Sequence, residues 1–228
     1  MTYCKINTQD GAFDAYMATP DTLPAPAIIV IQEIFGVNQE IRDRCDDYAR
    51  RGFIAIAPDM FWRIEKNVDI TDQTQAEWDK AFDLFNKFDA DKGIKDLDAA
   101  LRHVRQLKEC TGKVANIGFC LGGKLSYMMA TRTDVDMSIS YYGVGLQDML
   151  DEMDNIKKPT ILHIAALDQF TPIEDQEKII ERAKSNNHIT TYHYQDCDHA
   201  FARKGGEHFD QEAADLALKR SFDMLSKM

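Results

Sequence analysis

Short continuous apolar runs recur along this chain, separated by longer amphipathic stretches, and few folds accept that rhythm. The segments "APAIIVIQEIF", "FIAIAPDMF", "KVANIGF", "MSISYYG", "PTILHIAAL" and "ITTYHYQ" each read as a strand. In the first of these the apolar residues run on instead of alternating, as a strand buried on both faces requires. Helical patterns fill the intervals at 38–51, 93–108, 122–132, 172–185 and 209–227. Strands that alternate with helices are joined by crossover connections, so the expected fold is α/β, with a mostly parallel central sheet and helices on both faces. With 228 residues, a single domain over 1–228 can bury its own core. The acidic, glutamine-containing stretch of about 67–91 has no assignable helical phase.

One helix start is legible. In "TPIE", Thr171 stands where an N-cap belongs, Pro172 at the first helical position and Glu174 where a capping box needs its carboxylate. This places a loop at 167–170, at the carboxyl end of "ILHIAAL", where open α/β sheets bind ligands.

Charge narrows the partners. Acidic residues outnumber basic ones by 38 to 27, for a formal net charge of -11. Nucleic acid and anionic membranes both reward a basic surface, so neither is an expected partner. An anionic substrate would need capture by local cations. Five cysteines at 4, 45, 110, 120 and 197 are an odd number without tight spacing. They form neither a disulfide framework nor a Cys-x-x-Cys site, and a reducing compartment suits them. The opening "MTYCKINTQDGAFDAYMATP" holds no apolar run of signal-peptide length, and no stretch reaches a membrane span. A cytoplasmic location is expected, with no cofactor and no metal.

The chemistry-bearing motif is "GFCLGGK". Gly118-x-Cys120-x-Gly122 has the spacing of a nucleophile elbow, with sulfur in place of the usual serine oxygen. A strand pattern precedes it and a helical pattern follows, as the motif requires. Glycines at 118, 122 and 123 let the chain reverse sharply, and the helix N-terminus then faces the thiol, where its dipole and backbone N–H groups favour a thiolate. A thiol nucleophile needs a base, and the base an orienting group. Asp168 follows the strand "ILHIAAL", and His199 follows "ITTYHYQ". Both lie at strand carboxyl ends, in the chain order nucleophile, acid, histidine. Of the other histidines, His103 falls in a helix, His163 and His193 in strands, and His188 and His208 in turns. The run "DCDH" could instead ligate a metal, but it has no matching cluster elsewhere.

Five motifs in order, "QEIFGVN", "GFCLGG", "YYGVGL", "LDQFTP" and "HAFAR", resemble the dienelactone hydrolase (carboxymethylenebutenolidase) family of α/β-hydrolases. The resemblance implies the α/β-hydrolase fold and a triad of Cys120, His199 and Asp168. It implies that Glu33 interacts with the thiol and helps to ionise it, and that the backbone N–H groups of Leu121 and Ile34 form the oxyanion hole. Phe35, Tyr142 and Trp78 match substrate-lining positions. In the family, two arginines hold the substrate's carboxylate; Arg203 matches one. The other is missing, since no arginine occurs between Arg63 and Arg102, and its place falls near Trp78. Lys80 or Lys87 would supply only a point charge there. The implied activity is opening of a lactone or cleavage of an ester through a cysteine acyl-enzyme. The implied partner is a small, carboxylate-bearing lactone or ester, and the chain acts as a monomer or small homo-oligomer. The alternatives are an esterase or thioesterase for unrelated substrates, or a non-hydrolytic thiol-redox or ligand-binding module.

Overall fold

The computed structural model describes residues 2–228, which form two compact units meeting in sequence between Asn116 and Ile117.

The first unit opens with a hairpin of β1 (Thr2–Thr8) and β2 (Gly11–Ala18), whose turn is tied by Thr8 Oγ1 donating to the Gly11 carbonyl at 2.9 Å. β2 pairs antiparallel with β4 (Ile54–Pro58), and β4 pairs parallel with β3 (Ala25–Ile31). β4 is buried along its whole length, and β3 nearly so, which is why their sequences are apolar without alternation. The hairpin was not among the expected strands, because its half-exposed residues give no continuous apolar run. β3 is also shorter than the "APAIIVIQEIF" pattern, for Gln32 to Phe35 leave the strand.

Three helices complete this unit. α1 (Gln39–Arg50) is capped by Asn38, whose side chain accepts the Ile41 N–H at 3.2 Å, and Gly52, with φ +94°, follows its C-cap Arg51. The stretch without assigned phase holds α2 (Gln75–Lys87) and the start of α3 (Ala90–Arg105). Thr74 is the N-cap of α2: its Oγ1 accepts the Glu77 N–H at 3.3 Å, and Glu77 Oε2 accepts the Thr74 hydroxyl at 2.7 Å. β5 (Cys110–Phe119) carries the chain into the second unit.

There, α4 (Leu121–Arg132), β6 (Met137–Tyr141), a 3-10 helix (Leu146–Asn155), β7 (Thr160–Ala165), α5 (Ile173–Ala183), β8 (Ile189–Tyr194) and α6 (Gln211–Leu225) follow in order. β6, β7 and β8 are neighbours in a parallel ladder, and β6 and β7 are fully buried. Parallel pairing brings their carboxyl ends to one edge.

The capping box expected at Thr171 does not form. Pro172 is extended (φ -54°, ψ 153°), so it is itself the N-cap and the helix starts at Ile173. Thr171 is held by its loop instead: its N–H donates to the Asp168 carbonyl at 3.2 Å, and its own carbonyl accepts Gln176 Nε2 at 2.6 Å.

Candidate active site

Cys120 sits between the end of β5 and the first residue of α4, with φ 55° and ψ -113°. A non-glycine residue with such torsions is strained, and the strain is sustained by close packing around it. A Cβ on Gly118 would lie 2.0 Å from the Gly122 carbonyl oxygen, and one on Gly123 would lie 2.5 Å from the Tyr141 carbonyl oxygen. Only glycine fits at either place, which is the physical content of the elbow spacing. The Cys120 N–H donates to the Tyr141 carbonyl at 3.1 Å, fixing the nucleophile position to the end of β6. Leu121, the first residue of α4, is buried, and its N–H has no acceptor within the helix. It is thereby available to a developing oxyanion.

The loops after β7 and β8 are stitched together. Ala166 N–H donates to the Tyr194 carbonyl and Leu167 N–H to the Cys197 carbonyl, both at 2.9 Å. This holds Asp168 beside His199, with His199 Nδ1 2.7 Å from Asp168 Oδ2 and both residues buried. The other carboxylate oxygen of Asp168 accepts the Phe170 N–H at 2.8 Å. On its far side the His199 ring hydrogen-bonds Cys120, so the three side chains form one line. Burial alone would lower the His199 pKa. The negative charge of Cys120 and the hydrogen bonds to Asp168 and Cys120 outweigh it, and the imidazole is pushed up to about 10.

Backbone strain marks the same place. Among the described residues four non-glycines have positive φ, and three of them are Cys120, Tyr142 (37°) and Ala200 (64°). The fourth, Asn67, is a residue type that tolerates this region. The Tyr142 ring stands edge-on to His199 at 5.1 Å, and Phe170 does the same at 4.8 Å. Tyr142 was expected; Phe170 was not, although it lies two residues beyond Asp168 in "LDQFTP". Arg203 is buried in the turn after His199, where its N–H donates to the Ala200 carbonyl at 2.8 Å.

The remaining expected residues belong to the first unit. Glu33 and Ile34 are buried directly after β3. The Gln32 side chain accepts the Met60 N–H at 3.1 Å and donates to the Glu33 carbonyl at 3.3 Å. Phe35 and Trp78 touch each other edge-to-face at 5.1 Å, and Trp78 stacks on Phe82. Lys80 pairs with Glu65 and Lys87 with Asp83, each at 2.6 Å, so both lysines already have carboxylate partners. Of the "DCDH" run, Asp198 accepts the His199 N–H, and Cys197 is buried. Among the described residues no group of three or more histidine, cysteine or carboxylate side chains is arranged to hold a metal ion, and no helix is long and apolar enough to cross a membrane.

Comparison with known proteins shows the family. The model of the "Dienelactone hydrolase family" matches residues 13–228. A "Putative carboxymethylenebutenolidase" of Azospirillum brasilense is 47% identical over 214 residues, covering 93% of this chain and 92% of its own. The "Carboxymethylenebutenolidase" of Pseudomonas putida is 34% identical over 224 residues, covering 98% and 95%. In structure, a "Putative Dienelactone Hydrolase" from Klebsiella pneumoniae subsp. pneumoniae superposes with a TM-score of 0.86 at 23% identity, over 100% of this chain and 98% of that one, and so shares the α/β-hydrolase fold. The chain belongs to the dienelactone hydrolase family and is a hydrolase of carboxylic ester or lactone bonds.

Proposed function

We propose that this hydrolase works through a cysteine acyl-enzyme, with 1–228 acting as one catalytic domain. The observation that carries the reading is the line Cys120, His199, Asp168, with a cysteine held in the elbow conformation. The Cys120 thiolate attacks the carbonyl carbon, and the carbonyl oxygen takes up the negative charge against the Leu121 N–H. As the C–O bond breaks, protonated His199 gives its Nε2 proton to the leaving alkoxide. In a lactone that alkoxide stays tethered to the acyl group.

The same charges time the second half of the cycle. Once Cys120 is a thioester its negative charge is gone, and with it the main influence that holds His199 protonated. Burial is then opposed only by Asp168, the imidazole pKa falls, and His199 becomes a base that takes a proton from water. The water attacks the thioester, the C–S bond breaks, and the thiolate returns.

From the family resemblance we further assign Glu33 to adjusting the thiol, the Ile34 N–H to the oxyanion and Arg203 to a substrate carboxylate, with Phe35, Tyr142 and Trp78 lining the acyl or alcohol portion. The relatives' names suggest a dienelactone-type substrate. A second reading, a hydrolase of neutral esters, is favoured by Trp78 standing where a second arginine is expected and by the ion-paired state of Lys80 and Lys87. Steady-state kinetics on a muconate-type dienelactone and on simple aryl esters test both. Cys120→Ala and His199→Ala should each remove turnover of every substrate while leaving the far-UV circular dichroism unchanged. Turnover surviving in Cys120→Ala would refute the mechanism, and a preference for aryl esters would favour the second reading.

A further inference from the structure

Behind the nucleophile lies a chain of buried polar side chains that the catalytic steps do not use. Ser221, on α6, is fully buried, and three groups meet at its hydroxyl. The Tyr141 hydroxyl lies 2.8 Å away, His163 Nε2 3.0 Å away, and the carbonyl of Ala217, one helical turn back, 2.9 Å away. On the other side of the imidazole, His163 Nδ1 is 2.8 Å from the Tyr194 hydroxyl. Tyr194 in turn accepts a hydrogen bond from Arg220, whose guanidinium lies 4.1 Å from the centre of the Tyr192 ring.

The protons of this chain can be placed by counting. Ser221 has one hydrogen, given to the Ala217 carbonyl, so its oxygen must accept from both Tyr141 and His163. His163 therefore carries its proton on Nε2, and Nδ1 accepts from Tyr194, whose oxygen is left to accept from Arg220. Every donor has an acceptor, and the direction runs from Arg220 to the Ala217 carbonyl. Burial keeps His163 neutral, pushing its pKa down to about 3, and a neutral ring is what this arrangement requires.

The chain matters because of where it ends. Tyr141 is the residue whose carbonyl accepts the Cys120 N–H, and that carbonyl also abuts Gly123 in the first turn of α4. Tyr141 thus grips the strained elbow through its backbone and α6 through its side chain. We propose that Ser221, acting through Tyr141, is a positioning residue for the nucleophile: the C-terminal helix sets the elbow on which Cys120 is presented. This rests on the reading of Cys120 as the nucleophile, but its observable is the placement of the Cys120 thiol itself.

The test uses the full chain with Tyr141→Phe, which deletes one oxygen and keeps the ring, Ser221→Ala, and the double variant. Two readouts are taken: kcat and KM for the best ester of the panel, and the rate at which iodoacetamide alkylates Cys120, followed by peptide mass spectrometry against pH. Expected are a kcat lower by on the order of tenfold in Tyr141→Phe with KM little changed, a shifted pH profile of alkylation, and no further kcat loss in the double variant. If Ser221→Ala fails to fold, Tyr141→Phe alone decides. A lower melting temperature with kcat and the alkylation profile unchanged would make the chain merely structural and overturn the inference, while losses in the two single variants that multiply would overturn the route through Tyr141. If the wild type turns over no ester or lactone, the functional reading fails, and the alkylation profile still decides the positioning role.

Discussion

Asp168 and His199 are joined by a 2.7 Å hydrogen bond from Nδ1–H to Oδ2, with both side chains shielded from water. A charge-assisted bond in such a setting fixes the ring orientation and leaves Nε2 to face the thiol. Asp168→Asn removes the charge and keeps the shape. It should lower kcat by roughly 10²- to 10⁴-fold. Because the residues act as a unit, Asp168→Asn combined with His199→Ala should be scarcely worse than His199→Ala alone. Losses that multiply in stopped-flow or steady-state assays would mean independent roles.

The elevated pKa of His199 depends on the charge of Cys120, which gives a pH prediction of definite sign. In the wild type the imidazole stays protonated through neutral pH and loses its proton near pH 10. In Cys120→Ala the thiolate charge and its hydrogen bond vanish while burial and the Asp168 carboxylate remain, so the midpoint should fall below its wild-type value. NMR titration of the ring carbons measures it. A midpoint near 10 in both proteins would contradict the account of how His199 changes from acid to base.

Two substitutions separate close packing from mere backbone preference. Gly118→Ala drives a methyl into the Gly122 carbonyl, and a loss of more than about 4 kcal/mol, or failure to fold, is expected. Gly112 also has a positive φ, of +88°, but a Cβ there would meet nothing within 4 Å. Gly112→Ala should cost only about 1–2 kcal/mol of backbone strain. Chemical denaturation compares them.

Helix caps show how far the chain could be read before its structure. The pattern Thr-x-x-Glu occurs at both Thr171 and Thr74, and the cap was expected at Thr171, where proline strengthens the signal. The side-chain cap forms at Thr74, because Thr171 is drawn into the loop that braces Asp168, a tertiary demand with no local signature. Thr74→Ala should therefore cost about 1 kcal/mol, while Thr171→Val, at a hydroxyl with no hydrogen-bond partner, should leave stability nearly unchanged or raise it.

Legibility followed the same division elsewhere. β3, β4, β6, β7 and the buried end of β5 were visible because buried parallel strands carry continuous apolar runs; the half-exposed hairpin of β1 and β2 was not. Cys120, Asp168 and His199 were legible because strand ends, helix starts and chain order constrain them together. Phe170 against His199 and the chain through Ser221 were not, since both depend on which loops and helices meet across the second unit.

In the proposed reading, substrate choice turns on Arg203. Arg203→Ala should raise KM for carboxylate-bearing substrates by roughly ten- to a hundredfold and leave neutral aryl esters little affected. Trp78→Arg should lower KM for the same carboxylates, while costing about 1–3 kcal/mol of stability through the lost contacts with Phe35 and Phe82. Equal losses for both substrate classes in Arg203→Ala would reduce Arg203 to a support for the loop that carries His199.

The proposed covalent step is open to direct observation. Wild-type enzyme mixed with a slowly deacylating aryl ester, quenched in acid and digested, should yield one acylated peptide, modified at Cys120 and at none of Cys4, Cys45, Cys110 or Cys197. The adduct should form with the burst of alcohol release and disappear at the rate of turnover. An acyl group on another residue, or a burst with no adduct on Cys120, would contradict the cysteine mechanism.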